Sequence, residues 1–232
     1  MPVKQNLGSF SEDFLIDLVV RTRHFLVRNK KTVILSIIIT VAVLLFIVMR
    51  VLDTKKAEEE ASVAFERIAL VFQRPDLREH IGDIEKQLDD IIKKWPGTLG
   101  AARAALRMGH MRYSLENYAA AMEDFARVSG YSSSMYLYPA GLLGIANCHE
   151  QTGNIESALE TYSRIEVLNP DFGFKNLARL GKARCLGLKG DFQGARQALE
   201  NVRQDHSPHT EQAEQILVWL EGLQERSLLP GN

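Results

Sequence analysis

A chain of 232 residues with a formal net charge of −1 and 25% charged side chains is too balanced for a nucleic-acid binder and too apolar for a disordered chain. The charge is uneven: seven of the 28 Lys/Arg and three of the 29 Asp/Glu fall in residues 1–52, leaving 21 basic and 26 acidic residues, a net of −5, in the rest. Two cysteines, Cys148 and Cys185, are too few for a disulfide framework.

Residues 1–31 read as a basic tail. Phe10, Phe14, Leu18 and Phe25 suit a short amphipathic helix on a membrane surface, and a loosely ordered tail is the other reading. Residues 32–49, TVILSIIITVAVLLFIVM, hold no charge, Gly or Pro and at ~1.5 Å per residue just cross a hydrocarbon core. A buried core helix seldom stays apolar on every face for so long. A cleaved signal would be shorter and followed by a small-x-small site, whereas Arg50-Val51-Leu52-Asp53 follows. A retained transmembrane helix over residues 32–52 is expected.

Its orientation follows from the flanking Lys/Arg. Arg21, Arg23, Arg28, Lys30 and Lys31 precede the span; Arg50, Lys55, Lys56 and Arg67 follow it, mixed with Glu58, Glu59 and Glu60. The bias predicts a cytoplasmic N-terminus and a body beyond about Leu52 on the far side, the periplasm for a bacterial inner-membrane protein.

No Gly or Pro occurs from residue 9 to residue 74, so the helix can run on past the span, with Ala61, Ala64, Phe65, Ile68, Ala69 and Phe72 as one stripe. After a loop at 73–79, Ile84, Leu88, Ile91 and Ile92 form the inner stripe of a second helix that Trp95-Pro96-Gly97 stops. Residues 53–100 thus read as an irregular membrane-proximal helix pair. The Glu58–Glu60 run and Asp89-Asp90 read as exposed faces.

Residues 101–232 carry an internal repeat. Stretches starting at Ala102, Pro139 and Asn176 lie 37 residues apart and match in their small and large positions. Gly109, Ala146 and Ala183 are the small residues of each first helix. Ala121, Ala158 and Ala195 are their counterparts in each second helix, followed by Phe125, Tyr162 and Leu199. These positions resemble the tetratricopeptide repeat, and Asn169-Pro170 falls where that family ends a helix. Two helices cross closely only where both side chains are small, and the large residues fill the space beside the crossing. Gly153-Asn154 and Gly190-Asp191 suit the turns, Gly for positive φ and Asn or Asp as a cap. EQAEQILVWLEGL begins near one more step with no second helix after it and reads as a capping helix. The expected fold class is all-α: one N-terminal transmembrane helix, then a tetratricopeptide-like α-solenoid with a C-terminal cap. Cys148 and Cys185 share one register position in helices roughly 8–10 Å apart, beyond the ~7 Å reach of a disulfide, and read as buried packing residues.

No arrangement suggests catalysis, a metal or a cofactor: there is no Gly-rich phosphate loop, no His-Glu-x-x-His and no paired-Cys motif. His206 and His209 flank Ser207-Pro208 at a helix entry rather than forming a ligand pair. The remaining candidate is the concave face of the first helices. Helical spacing puts Arg103, Leu106, His110 and Tyr113 on it from the first unit, Leu143, Asn147 and Glu150 from the second, and Leu177, Leu180, Arg184 and Gly187 from the third. Such a mixed groove suits a protein segment with apolar anchors and some acidic character. For Leu106 and Leu180 an ordinary core role competes.

A basic tail, one membrane helix, an Ala/Glu-rich continuation, a helix ending Trp95-Pro96-Gly97-Thr98 and degenerate repeats together resemble the YfgM-like ancillary subunits of the bacterial Sec translocon. The resemblance implies a periplasmic chaperone-network role, with translocon subunits and exported polypeptides as partners. A scaffold of another envelope complex, in division or outer-membrane assembly, and a regulatory subunit of a membrane enzyme are the alternatives.

Overall fold

The computed structural model describes residues 20, 28–70, 72, 80–129, 131, 136–168, 172–205 and 207–228. The expected amphipathic tail helix, the loop at 73–79, Asn169-Pro170 and His206 lie outside the described residues. The chain divides into two units, Met1–Lys55 and Lys56–Asn232.

In the first unit, helix α1 (Lys30–Ala69) begins. It holds an 18-residue window of mean hydropathy 3.1 with none of that window buried, long and apolar enough to cross a membrane. Two of the three hydroxyls in this run return to their own helix: Ser36 Oγ donates to Val33 O and Thr40 Oγ1 to Ser36 O, both at 2.8 Å. No polar group of theirs is left for lipid to satisfy.

The second unit takes the end of α1 from Lys56 and then α2 (Ile81–Lys94), α3 (Leu99–Ser114), α4 (Tyr118–Ser129), α5 (Leu137–Gln151), α6 (Ile155–Val167), α7 (Phe172–Leu188), α8 (Phe192–Gln204) and α9 (Thr210–Ser227). No strand occurs among the described residues. From α3 onward each helix packs on the next, and the first helices α3, α5, α7 and α9 also pack in succession. This is a consequence of pairing: each pair buries one face internally and the other on its neighbour.

The three turns within pairs repeat bond for bond. Asn117 N donates to Arg112 O, Asn154 N to His149 O and Asp191 N to Leu186 O, each at 2.9 Å. The residue before each lies in the left-handed region: Glu116 at φ 60, Gly153 at φ 75 and Gly190 at φ 82. Glu116 is 37 residues before Gly153, so the period holds even where glycine is absent. The caps differ. Asp191 accepts from Gly194 N at 2.9 Å, whereas Asn154, expected to cap α6, turns its Nδ2 to Thr152 Oγ1 at 3.0 Å.

The six small repeat residues, Gly109, Ala121, Ala146, Ala158, Ala183 and Ala195, are all buried. Gly144 and Gly181, which the repeat alignment passes over, add to the crossings. A Cβ on Gly109 would lie 2.7 Å from the Phe125 ring and one on Gly144 would lie 2.6 Å from it. Phe125 is therefore wedged between its own pair and the next. Tyr162 lies against Gly181 in the same way, one period on. Cys148 and Cys185 are buried and unbridged.

At the start of the array the end of α1 docks on α3, with Ala61 against Gly100, where a Cβ would meet backbone at 2.5 Å. The Glu58–Glu60 run is not simply an exposed face. Glu58 accepts from Leu99 N at 3.0 Å with both oxygens, and Glu60 accepts from Trp95 Nε1 at 3.1 Å. A carboxylate at a helix N-terminus satisfies a free N–H and the local dipole.

At the far end α9 replaces the small residue of the stripe. Leu220 holds the register of Gly109, Ala146 and Ala183, is fully buried, and packs on Gly187 of α7. Where the other first helices have a small residue, this large side chain fills the space itself.

Candidate partner-binding groove

The residues expected on the concave face do not all meet. Leu143 and Asn147 of α5 and Leu177, Leu180 and Arg184 of α7 line one pocket of about 380 Å³, and Gln212, Gln215 and Ile216 of α9 complete it. Its floor is apolar and its rim carries three carboxamides and one guanidinium. Leu180 is 3% exposed and belongs to the core around Leu199 and Leu220, so only its edge faces the pocket.

The others serve packing or internal pairing. Leu106 and Tyr113 pack on the cluster of Ala121, Phe125 and Cys148. The Tyr113 ring meets Tyr118 edge-on at 5.3 Å. Arg103 pairs with Glu66 at 3.5 Å. His110 sets its ring edge-on to Phe125 at 5.1 Å, and burial, then the charge of Arg107, hold its pKa below the usual histidine value. Gly187, expected in the groove, instead lies under Leu220.

Glu150 was expected as an open anchor and is already engaged. Arg184 donates from Nε to Oε1 at 2.6 Å and from Nη2 to Oε2 at 2.7 Å, a two-pronged ion pair. The Tyr162 hydroxyl shares its hydrogen between Glu150 Oε2 and Asn147 Oδ1, each 2.7 Å away. Burial, then the neighbouring Glu150 carboxylate, push the Tyr162 phenol well above the usual tyrosine range. The acidic preference expected of the groove loses its basis here, because both Arg103 and Arg184 already hold carboxylates of this chain.

Reactive chemistry has no foothold in these groups. Burial pushes the Cys148 thiol up to about 11 and, with Glu150 adding, the Cys185 thiol up to about 12, so neither is a thiolate nucleophile at neutral pH. Among the described residues no three His, Cys, Asp or Glu side chains are placed to hold a metal ion.

Paired helices with small-residue crossings, one repeated turn and a capping helix are the marks of one architecture. A family model for the tetratricopeptide repeat-like domain matches residues 23–224. The chain belongs to that family. No curated protein and no solved structure matches it. A tetratricopeptide-like domain is a protein–protein interaction module and is typically non-catalytic, so the pocket of this array is read as a place for another protein.

Sequence spacing alone missed four contributors to the tetratricopeptide groove. Gln212, Gln215 and Ile216 lie outside the positions that line the groove in α3, α5 and α7, because α9 presents a different side. Leu220 at a small-residue position is the signal that α9 departs from the residue pattern of the other first helices. The Tyr162 hydroxyl was hidden because its position in the repeat is filled by Phe125 and Leu199 elsewhere, which have none.

Proposed function

We propose that this tetratricopeptide array holds an extended segment of another protein in the pocket between α5, α7 and α9. The observation that carries the reading is the pocket's make-up: Leu143, Leu177, Leu180 and Ile216 offer an apolar seat, and Asn147, Gln212 and Gln215 offer amide groups that match a peptide backbone. An extended segment needs both, one for its side chains and one for its main chain.

The helix α1 anchors the array in a bacterial inner membrane, with the N-terminus cytoplasmic and the array periplasmic. The Lys/Arg bias supports that orientation. The overall layout supports the finer reading of an ancillary translocon subunit that contacts exported polypeptides in a chaperone network. A photo-crosslinker at Gln215 on the pocket rim is expected to trap exported polypeptides, and one at Glu160, exposed on α6, is not. Protease added to intact spheroplasts is expected to remove the array. Equal trapping from both sites sinks the groove reading, and an array protected until the inner membrane is broken reverses the orientation.

A further inference from the structure

We propose that Glu150 sets the selectivity of this groove: by holding the guanidinium of Arg184, it makes the groove indifferent to the charge of the extended polypeptide segment it takes. The inference rests on the peptide-binding reading above and names the class of segment, one chosen by apolar side chains and not by acidic or basic ones.

Of the eight described residues that line the pocket, Arg184 alone carries a charge at neutral pH. A guanidinium at the rim of an apolar pocket selects carboxylates, since its fork of N–H donors fits them in two-pronged fashion. Here one edge of that fork, Nε and Nη2, is already filled. Glu150 meets it with both oxygens, and the Glu150 side chain is only 9% exposed, so water competes little for it. The Tyr162 hydroxyl, donating to Glu150 Oε2 at 2.7 Å, fixes the carboxylate from the other side. The two charges cancel beside the pocket, and a ligand carboxylate arriving at that edge of Arg184 must displace a better-placed one. A ligand cation finds Glu150 buried behind the arginine.

The same balance extends along the concave face. Arg103 is paired with Glu66, and His110 is held toward its neutral form. What remains for an occupant is apolar contact plus the carboxamides of Asn147, Gln212 and Gln215. Backbone amides are common to every sequence, so such a site reads hydrophobicity and extension. Charge complementarity here is complementarity to none.

The test uses the full chain in detergent and three synthetic peptides that share a central leucine and differ only in flanking residues, all Asp, all Gln or all Lys. Wild-type affinities are expected to agree within about two-fold. Glu150→Gln keeps the hydrogen-bonding shape and frees Arg184. It is expected to favour the Asp peptide over the Lys peptide by about five-fold at low salt, a difference that added salt removes. Phenylglyoxal mapping gives a ligand-independent reading: Arg184 is modified slowly in the wild type and faster in Glu150→Gln. The double variant Glu150→Gln/Arg184→Met is expected to treat the three peptides alike, whatever its affinity, and decides the matter should the single variant not fold. Binding graded by charge in the wild type overturns the inference alone. So does a folded Glu150→Gln with a reactive Arg184 and no charge preference, or a charge preference in the double variant. If the wild type binds none of the three peptides, the groove reading falls and the inference falls with it.

Discussion

Glu116 stands where the next two turns have glycine, and that makes it the sharpest probe of the repeat. At φ 60 its backbone is left-handed, a conformation that costs an L-residue about 1 kcal/mol or somewhat more. Its side chain is exposed and has no hydrogen-bond or ion-pair partner among the described residues. Glu116→Gly therefore removes strain and little else. Glycine gives back part of the gain through a freer unfolded chain, leaving a net stabilisation of about 0.5–1 kcal/mol. For a unit of this size that raises Tm by roughly 2–3 °C. The reciprocal change is Gly153→Ala. A Cβ there meets nothing within 4 Å, so the expected loss of about 1 kcal/mol is a backbone effect alone. Far-UV circular dichroism of the full chain in detergent, followed through heat and urea, reads both. The Glu116 side chain is exposed and Gly153 has none, so the two effects are expected to add and the double variant should return close to wild type. A lower midpoint for Glu116→Gly, or an unchanged one for Gly153→Ala, would mean that the three turns are not the same turn.

Two further contrasts follow from the packing and the titration. Gly181→Ala drives a methyl into the Tyr162 ring and loses about 1–2 kcal/mol by overpacking, whereas Gly222→Ala, with nothing within 4 Å inside α9, gains about 0.5–1 kcal/mol of helix propensity; the same sign for both in a melting experiment would refute the wedge. His110 has a folded pKa below its unfolded value, so its neutral form stabilises the fold above the unfolded pKa and that contribution is lost as pH falls through the folded pKa. The stability difference between wild type and His110→Gln, followed by thermal melts across mildly acidic pH, is therefore expected to shrink with acid, and a difference that grows would reverse the argument.

The fold was legible because its determinants are local. Small residues at one spacing, a Gly-x turn and an apolar stripe are written in consecutive residues, and each constrains backbone directly. The pocket was legible only in part. Helical spacing placed Leu143, Asn147, Leu177, Leu180 and Arg184 on one face, because that face depends on one helix at a time. It could not place Gln212, Gln215 and Ile216, whose contribution depends on how α9 turns once Leu220 takes a small-residue position. Nor could it show that Arg184 and Glu150 hold each other. They are 34 residues apart, and a side-chain pair between neighbouring first helices leaves no mark in either helix's own periodicity. The same holds for Tyr113, whose packing against Tyr118 is decided across a turn.

The Trp95-Pro96-Gly97-Thr98 turn bears on how far a family resemblance reaches. Every residue in it except proline has a structural partner. Trp95 Nε1 donates to Glu60, and the Lys94 ammonium lies 4.3 Å from the Trp95 ring centre. Gly97 sits at φ 83 and its N–H donates to Tyr131 Oη at 3.1 Å. Thr98 caps α3 by accepting from Ala101 N at 3.2 Å. With Glu58 on Leu99 N, these bonds join the end of α1 to the first helix of the array. The turn is thus a joint, and any protein that must dock a preceding helix on a tetratricopeptide array meets the same requirement. Its presence argues for the architecture and leaves partner choice to the groove. Differences of function among proteins that share this joint should therefore appear at positions such as Glu150, Arg184 and Gln215, where a single exchange alters what the array can hold.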